Sequence, residues 1–213
     1  MSIEKIQHLL TEQKIINKAG SIKLSLANIS FPIKSKDILG GALQEWFENW
    51  MLKNEIVFTK PRNTQEPPDF FLENGEDLEV KVFNSDATPG FDIANFDAYT
   101  RSLLQHPARL DAHHLIFGYS SENGLFRITD FWSKKIWEMT GPSEKNILTL
   151  QVKQQIPVNI RPKDWRTNAA VFTNRRDFVT ALDLALKKFH PERYHHWFAQ
   201  VEQAYQDKTG NSL

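Results

Sequence analysis

Asp69, Glu79 and Lys81 are the residues of this chain whose types and spacing point most directly to chemistry. They lie in the run Pro68-Asp-Phe-Phe-Leu-Glu-Asn-Gly-Glu-Asp-Leu-Glu-Val-Lys81, where two short apolar segments flank Asn74-Gly75. Side chains alternate along a strand, so Glu79 and Lys81 project to one face and Val80 to the other. A hairpin closed at Asn-Gly brings Asp69 alongside that pair. Two carboxylates and an amine then converge. Such a set can hold Mg²⁺ through hard oxygen ligands and manage the charge of a phosphodiester.

The elements that must position these groups follow from periodicity. Residues 2–18 carry Ile3, Ile6, Leu9, Leu10 and Ile16 at helical spacing. A second helix is expected over 37–53, capped by Asp37, with Leu39, Leu43, Trp46 and Trp50 in one stripe. Ile56–Phe58 reads as a short strand, and Pro61–Pro68 breaks regular structure. Strands at 70–72 and 78–82 pair antiparallel. A turn at Pro89-Gly90 and a helix from an Asp92 cap to about 105 follow, long enough to cross over to a parallel strand. Strands are expected at 115–119, 125–129 and 147–152, and a helix at 131–139. Two helices close the chain, one along Phe178, Leu182, Ala185, Leu186 and Phe189, the other from Pro191 to about Gln206. This order argues an α/β sandwich, a central mixed β-sheet flanked by helices.

Bulk properties set the limits. The 213 residues suit one domain with a helical extension, and 40% hydrophobic with 24% charged residues suits a soluble globular protein. No apolar run reaches the length of a membrane span, and Met-Ser-Ile-Glu-Lys lacks the layout of a secretory signal. With no cysteine, disulfides and thiolate metal sites are excluded, and a reducing cytoplasm is the expected location. Net charge is zero but unevenly spread. Residues 66–97 hold nine acids (Glu66, Asp69, Glu73, Glu76, Asp77, Glu79, Asp86, Asp92, Asp97) against Lys81 alone. Residues 145–176 hold Lys145, Lys153, Arg161, Lys163, Arg166, Arg175 and Arg176 against Asp164 alone. The pattern fits a metal centre beside a polyanion groove, or two solvated faces that balance each other.

Pro68-Asp69 followed by Glu79-Val80-Lys81 resembles the signature of PD-(D/E)XK nucleases, and within that superfamily most nearly type II restriction endonucleases. The resemblance implies a restriction-endonuclease-like fold over a single nuclease domain, 1–213. A catalytic core spans about 37–152, a DNA-recognition segment about 151–176, and C-terminal helices 177–207. It implies Mg²⁺ held by Asp69, Glu79 and the Val80 carbonyl. Lys81 would contact the scissile phosphate and orient or help deprotonate the attacking water, with stabilising charge as its principal role. The products would be a 5′-phosphate and a 3′-hydroxyl. Many such nucleases carry a further glutamate on the helix before the motif, a place that Glu45 takes here, with Glu48 one turn away. The class also implies double-stranded DNA as partner, a homodimer matching a two-fold site, and a cognate methyltransferase.

Candidate DNA contacts fall in three places. Asn84 and Ser85 leave the motif strand in a loop rich in hydrogen-bonding groups, and Arg101 lies on the following helix. In the basic block, Pro157 and Pro162 exclude helix and favour a loop or extended ribbon. There Lys153, Lys163, Arg166, Arg175 and Arg176 suit phosphates, while Gln154, Gln155, Asn159 and Arg161 suit base edges. The pairs His113-His114 and His195-His196 point apart and make poor chelates, and no phosphate loop ending in Lys-Ser/Thr occurs. Three further readings remain open: a repair or recombination nuclease that reads DNA structure, a non-catalytic DNA-binding module of the same fold, and an interaction protein with an acidic hairpin.

Overall fold

The computed structural model describes residues 2–35, 38–63, 67–87, 91–163, 165–166, 170–193 and 195–213. In chain order the helices are α1 (Ile3–Glu12), α2 (Leu39–Lys53), α3 (Phe96–Ser102), α4 (Arg175–Phe189) and α5 (Trp197–Thr209). The strands are β1 (Ala19–Ser21), β2 (Lys23–Leu26), β3 (Ile29–Pro32), β4 (Phe58–Thr59), β5 (Phe70–Leu72), β6 (Asp77–Asn84), β7 (Ala94–Asn95), β8 (His113–Glu122), β9 (Leu125–Lys135), β10 (Leu150–Lys153) and β11 (Ile156–Ile160). The chain divides into two compact units, residues 1–90 with 113–133, and residues 91–112 with 134–213.

The first unit is built on a mixed sheet in the order β1-β9-β8-β6-β5-β4. The central pair β6–β8 is parallel, from Leu78↔His113 to Asn84↔Tyr119, and β5 pairs antiparallel with β6. Such a parallel pair needs a long connection, here residues 85–112. Leu78, Val80, Leu115 and Phe117 enter one apolar core with Leu43, Phe47, Trp50 and Met51 of α2 and with Phe70 and Leu72 of β5. Phe47 anchors it, with ring centroids 6.2 Å from Phe70 and 5.7 Å from Phe117. Because β6 alternates, burying Val80 in that core sends Glu79 and Lys81 to the opposite face. Gly118 of β8 admits its neighbours closely, since a Cβ there would stand 2.8 Å from Ser85 Oγ and 2.9 Å from Thr129 Oγ1.

The second unit holds a three-stranded sheet, β10-β11-β7, with α3, α4 and α5. Buried Trp197 of α5 donates its ring N–H to Thr100 O at 3.0 Å. Asp111 joins three groups: Arg175, the Lys135 ammonium at 3.6 Å and the Tyr205 hydroxyl, which donates at 2.6 Å. Burial, followed by the neighbouring Asp111, pushes the Tyr205 hydroxyl up to about 12.

The mixed α/β architecture and the antiparallel 70–72 hairpin match expectation, and several boundaries do not. Asp92 caps no helix: it pairs with Arg161 at 3.0 Å, and Asn95 caps α3 by accepting from the Ala98 N–H at 2.9 Å. The stretch 131–139 is not an α-helix. Strand β9 runs on to Lys135, and a 3-10 turn, Ile136–Met139, follows, with Glu138 accepting from the Lys135 N–H. The last helix starts at Trp197, after a left-handed His196, rather than at Pro191. The first helix is shorter than expected, and β1, β2 and β3 occupy the stretch after it. The expected cap Asp37, the Pro89-Gly90 turn and parts of the basic block (Asp164, Asn168) lie outside the described residues.

Candidate active site

The β5–β6 hairpin fixes the two carboxylates. Leu72 N–H donates to Glu76 O and Gly75 N–H to Leu72 O, both at 2.9 Å, closing the turn. Gly75 takes φ +86°, a conformation that suits a residue without a Cβ. Pairing then runs Phe71↔Asp77 and Phe70↔Leu78, so the next position sets Asp69 across from Glu79. Strand β5 stops at Phe70, and the Asp69 side chain takes over the ladder. Its Oδ2 accepts the Val80 N–H at 2.7 Å. A strand residue sends its N–H and C=O to the same side, so the Val80 carbonyl emerges at that edge too. Lys81 Nζ lies 3.3 Å from Glu79 Oε2.

Asp69 therefore sits at the open edge of β6, in the plane of the sheet. Glu79 and Lys81 approach it from one face, and the Gln44 side chain of α2 hydrogen-bonds it. Its carboxyl is raised above the ordinary carboxylate value, first by burial and then by the Glu79 charge. The Val80 N–H, the Lys81 charge and Gln44 oppose that rise without cancelling it. Two acids held together against this cost form a pocket of negative charge that a cation would relieve. Among the described residues no three His, Asp or Glu side chains gather into a ready-made cage. Mg²⁺ does not need one, since it is commonly held by one or two carboxylates, with waters and substrate phosphates completing six. The donors at this edge fit that ion.

Asp69, Glu79, Val80 and Lys81 are thus brought together, and Glu45 is not. Glu45 is exposed, about half a turn around α2 from core residues Leu43 and Phe47. Glu48 pairs with Lys60 at 2.7 Å. Gln44 is the α2 residue that reaches the site, and helical phase was the available signal, since it flanks the apolar stripe while Glu45 opposes it. Buried His114 stands directly beside Glu79 in the β6–β8 register, a neighbour that the dismissal of His113-His114 as a chelating pair passed over.

The expected DNA contacts divide. Asn84 Oδ1 accepts the Asp86 N–H at 3.0 Å, and Ser85 Oγ shares a 2.6 Å hydrogen bond with Thr129 Oγ1. Arg101 pairs with Asp97 at 2.8 Å, and Asn159 and Arg161 both hold Asp92. Arg175 pairs with Asp111, and Arg176 with Glu202. Lys153, Gln154, Gln155, Lys163 and Arg166 are exposed.

Comparison with known proteins identifies the family. The family model described as NgoBV restriction endonuclease matches residues 1–213. The chain belongs to the NgoBV restriction endonuclease family. As a member it is a type II restriction endonuclease, a site-specific deoxyribonuclease. It is 38% identical to the type II restriction enzyme NlaIV of Neisseria lactamica over 96% of this chain and 89% of that one. With the type II restriction enzyme NgoBV of Neisseria gonorrhoeae it shares 42% identity over 62% of this chain and 78% of that one. The solved structure of NlaIV restriction endonuclease superposes with a TM-score of 0.89 at 36% identity, covering 100% of this chain and 92% of the other.

Proposed function

We propose that this restriction endonuclease is a PD-(D/E)XK enzyme that uses Mg²⁺ to hydrolyse double-stranded DNA at a short specific site, leaving 5′-phosphate and 3′-hydroxyl ends. The convergence of Asp69, Glu79 and Lys81 at the edge of β6 carries this reading. Asp69, Glu79 and the Val80 carbonyl would hold the ion. When bound, Mg²⁺ supplies the charge that favours hydroxide from water near neutral pH and that supports the departing 3′-oxygen. The chain's own residues do the rest. The Val80 N–H fixes the orientation of Asp69. Gln44 holds the same carboxylate from α2, leaving fewer orientations open to it. Lys81 presents its ammonium on the Glu79 face, where it meets the negative oxygens of the scissile phosphate and steadies the charge that gathers there in the transition state.

A palindromic site presents two equivalent scissile bonds, and each chain carries one such edge, so the enzyme acts as a homodimer. A methyltransferase that protects the host sites is its partner by class, and the cytoplasm its place of work. Exposed Lys153, Lys163 and Arg166 are the phosphate contacts this reading uses first.

Plasmid digestion tests the proposal. With Mg²⁺ the protein yields discrete fragments, and chelation stops the reaction. Glu79→Ala and Lys81→Ala abolish cutting while the protein stays folded. Cutting confined to branched or nicked DNA would favour a repair nuclease instead. A folded, Mg²⁺-supplied protein that leaves varied DNA whole refutes the reading.

A further inference from the structure

Strands β10 and β11 form an antiparallel ribbon, Lys153 opposite Ile156, joined by Gln154 and Gln155 alone. Both glutamines take left-handed backbone, φ +49° and +65°. A two-residue turn of this hand demands positive φ at both positions and favours Asn-Gly, because a Cβ resists that conformation. The chain uses Asn-Gly elsewhere: Asn123-Gly124, at +53° and +80°, joins β8 to β9. Among the described residues, Gln154-Gln155 is the only pair of successive non-glycine residues in the left-handed region. Backbone strain of this kind persists at functional sites, where the side chains are needed for something other than the turn.

The rest of the ribbon indicates what that is. Strand β7 pairs with β11 only at Asn159 and Ile160, so the ribbon beyond Asn159 is two-stranded. Pro157 on β11 is buried, so the exposed tip beyond it reaches about 7 Å at ~3.3 Å per residue, most of the roughly 8.5 Å depth of the DNA major groove. Val152 through Ile156 are all exposed. Within residues 150–163 Arg161 is held by Asp92, while Lys153 and Lys163 are exposed with no acid in the segment, which suits approach to a polyanion. A carboxamide offers a donor and an acceptor side by side, the pairing that base edges present in the major groove.

We infer that the β10–β11 ribbon enters the major groove of the substrate and reads base edges through Gln154 and Gln155, with Lys153 on a flanking phosphate. The inference rests on the DNA-cleaving reading above and adds the element that gives it sequence choice.

The test compares wild-type enzyme with the double variant Gln154→Asn, Gln155→Gly, by thermal melting and by sequencing the ends of genomic digests. The substitutions relieve the turn, shorten one reading carboxamide by a methylene and remove the other. Melting should rise by about 2 °C or more, while discrimination against sites with one base changed should fall by about tenfold or more. A variant that keeps the wild-type consensus and discrimination, or that melts lower, overturns the inference. Gln155→Gly alone, which removes one carboxamide and tolerates left-handed backbone, repeats the test if the double variant does not fold. Lys153→Gln should weaken binding to cognate and scrambled duplexes alike and lower the salt slope by about one; an unchanged slope removes the ribbon from the interface. A wild-type protein that cuts no DNA takes both readings down, whereas one that cuts alongside an unaltered double variant sinks this inference alone.

Discussion

Replacing Asp69 by asparagine and by alanine separates the two things that this carboxylate does. Its Oδ2 accepts the N–H of Val80, a residue only 6% exposed. Alanine leaves that donor without its acceptor, at a cost of about 1–3 kcal/mol, a fall of roughly 3–10 °C in melting temperature for a chain of this size. Asparagine keeps an acceptor there and removes a negative charge that burial and Glu79 both oppose. The Asp69 carboxyl is raised, so the folded protein binds this proton more tightly than the unfolded chain does. Its contribution to stability is fully present below the unfolded value and is lost as pH rises through the raised one. At neutral pH, without metal, Asp69→Asn should therefore melt at or above the wild-type temperature, and its melting should lack that part of the decline with pH. Adding Mg²⁺ reverses the order. At a hundred times its dissociation constant a bound ion stabilises wild type by about 2.7 kcal/mol, and neither variant shares that gain in full. Melting curves at several pH values, with and without Mg²⁺, read all of this. Should asparagine destabilise as much as alanine, or should Asp69→Asn gain as much from Mg²⁺ as wild type, the account of this edge is wrong.

Other perturbations follow from the same geometry. Lys81→Met should lower the single-turnover cleavage rate by about a hundredfold or more, the usual scale for losing one aligned stabiliser of transition-state charge, while Mg²⁺-dependent stabilisation survives. Gly118→Ala drives a methyl group to 2.8 Å from Ser85 Oγ and 2.9 Å from Thr129 Oγ1; overpacking of this kind costs about 1–3 kcal/mol in denaturant unfolding. Asp111→Ala strips Arg175, Lys135 and the buried Tyr205 hydroxyl of their shared acceptor and should destabilise by about 1–3 kcal/mol. Tyr205 is pushed up to about 12, so it stabilises the fold fully below its ordinary value near 10, a contribution lost as pH climbs through 12. Tyr205→Phe should remove that alkaline loss from a pH series of melting curves.

The part of the site legible in the sequence is the part made by near neighbours. Asp69 and Glu79 are joined by one tight hairpin whose turn residues announce it, and alternation along β6 assigns faces to Glu79, Val80 and Lys81 without reference to the rest of the chain. Gln44 reaches the same carboxylate from a helix more than twenty residues upstream; helical phase favours it over Glu45, but only the packing of α2 on β6 shows that it meets Asp69. Strands β2 and β3 left no trace because all eight of their residues are exposed, so no burial pattern marks them. At 131–139 the spacing of Phe131, Trp132, Ile136 and Trp137 fits a helix as well as it fits a strand running into a 3-10 turn. Sheet pairing decides such a case, and periodicity does not.

The charge pattern shows the same limit from the other side. As a line of text, residues 145–176 look like seven cations awaiting phosphates. Folded, Arg161, Arg175 and Arg176 face Asp92, Asp111 and Glu202, acids 69, 64 and 26 positions away that no local window contains. A cation already paired offers a polyanion less than an exposed one, because the attraction must first exceed what the acid supplies. What binds DNA in this chain is therefore decided less by the number of basic residues in the block than by which of them lack an acid across the fold. That reasoning favours the ribbon tip over the base of α4. If Arg176→Gln weakened DNA binding as much as Lys153→Gln, with equal loss of salt dependence, pairing would not be what sorts these cations.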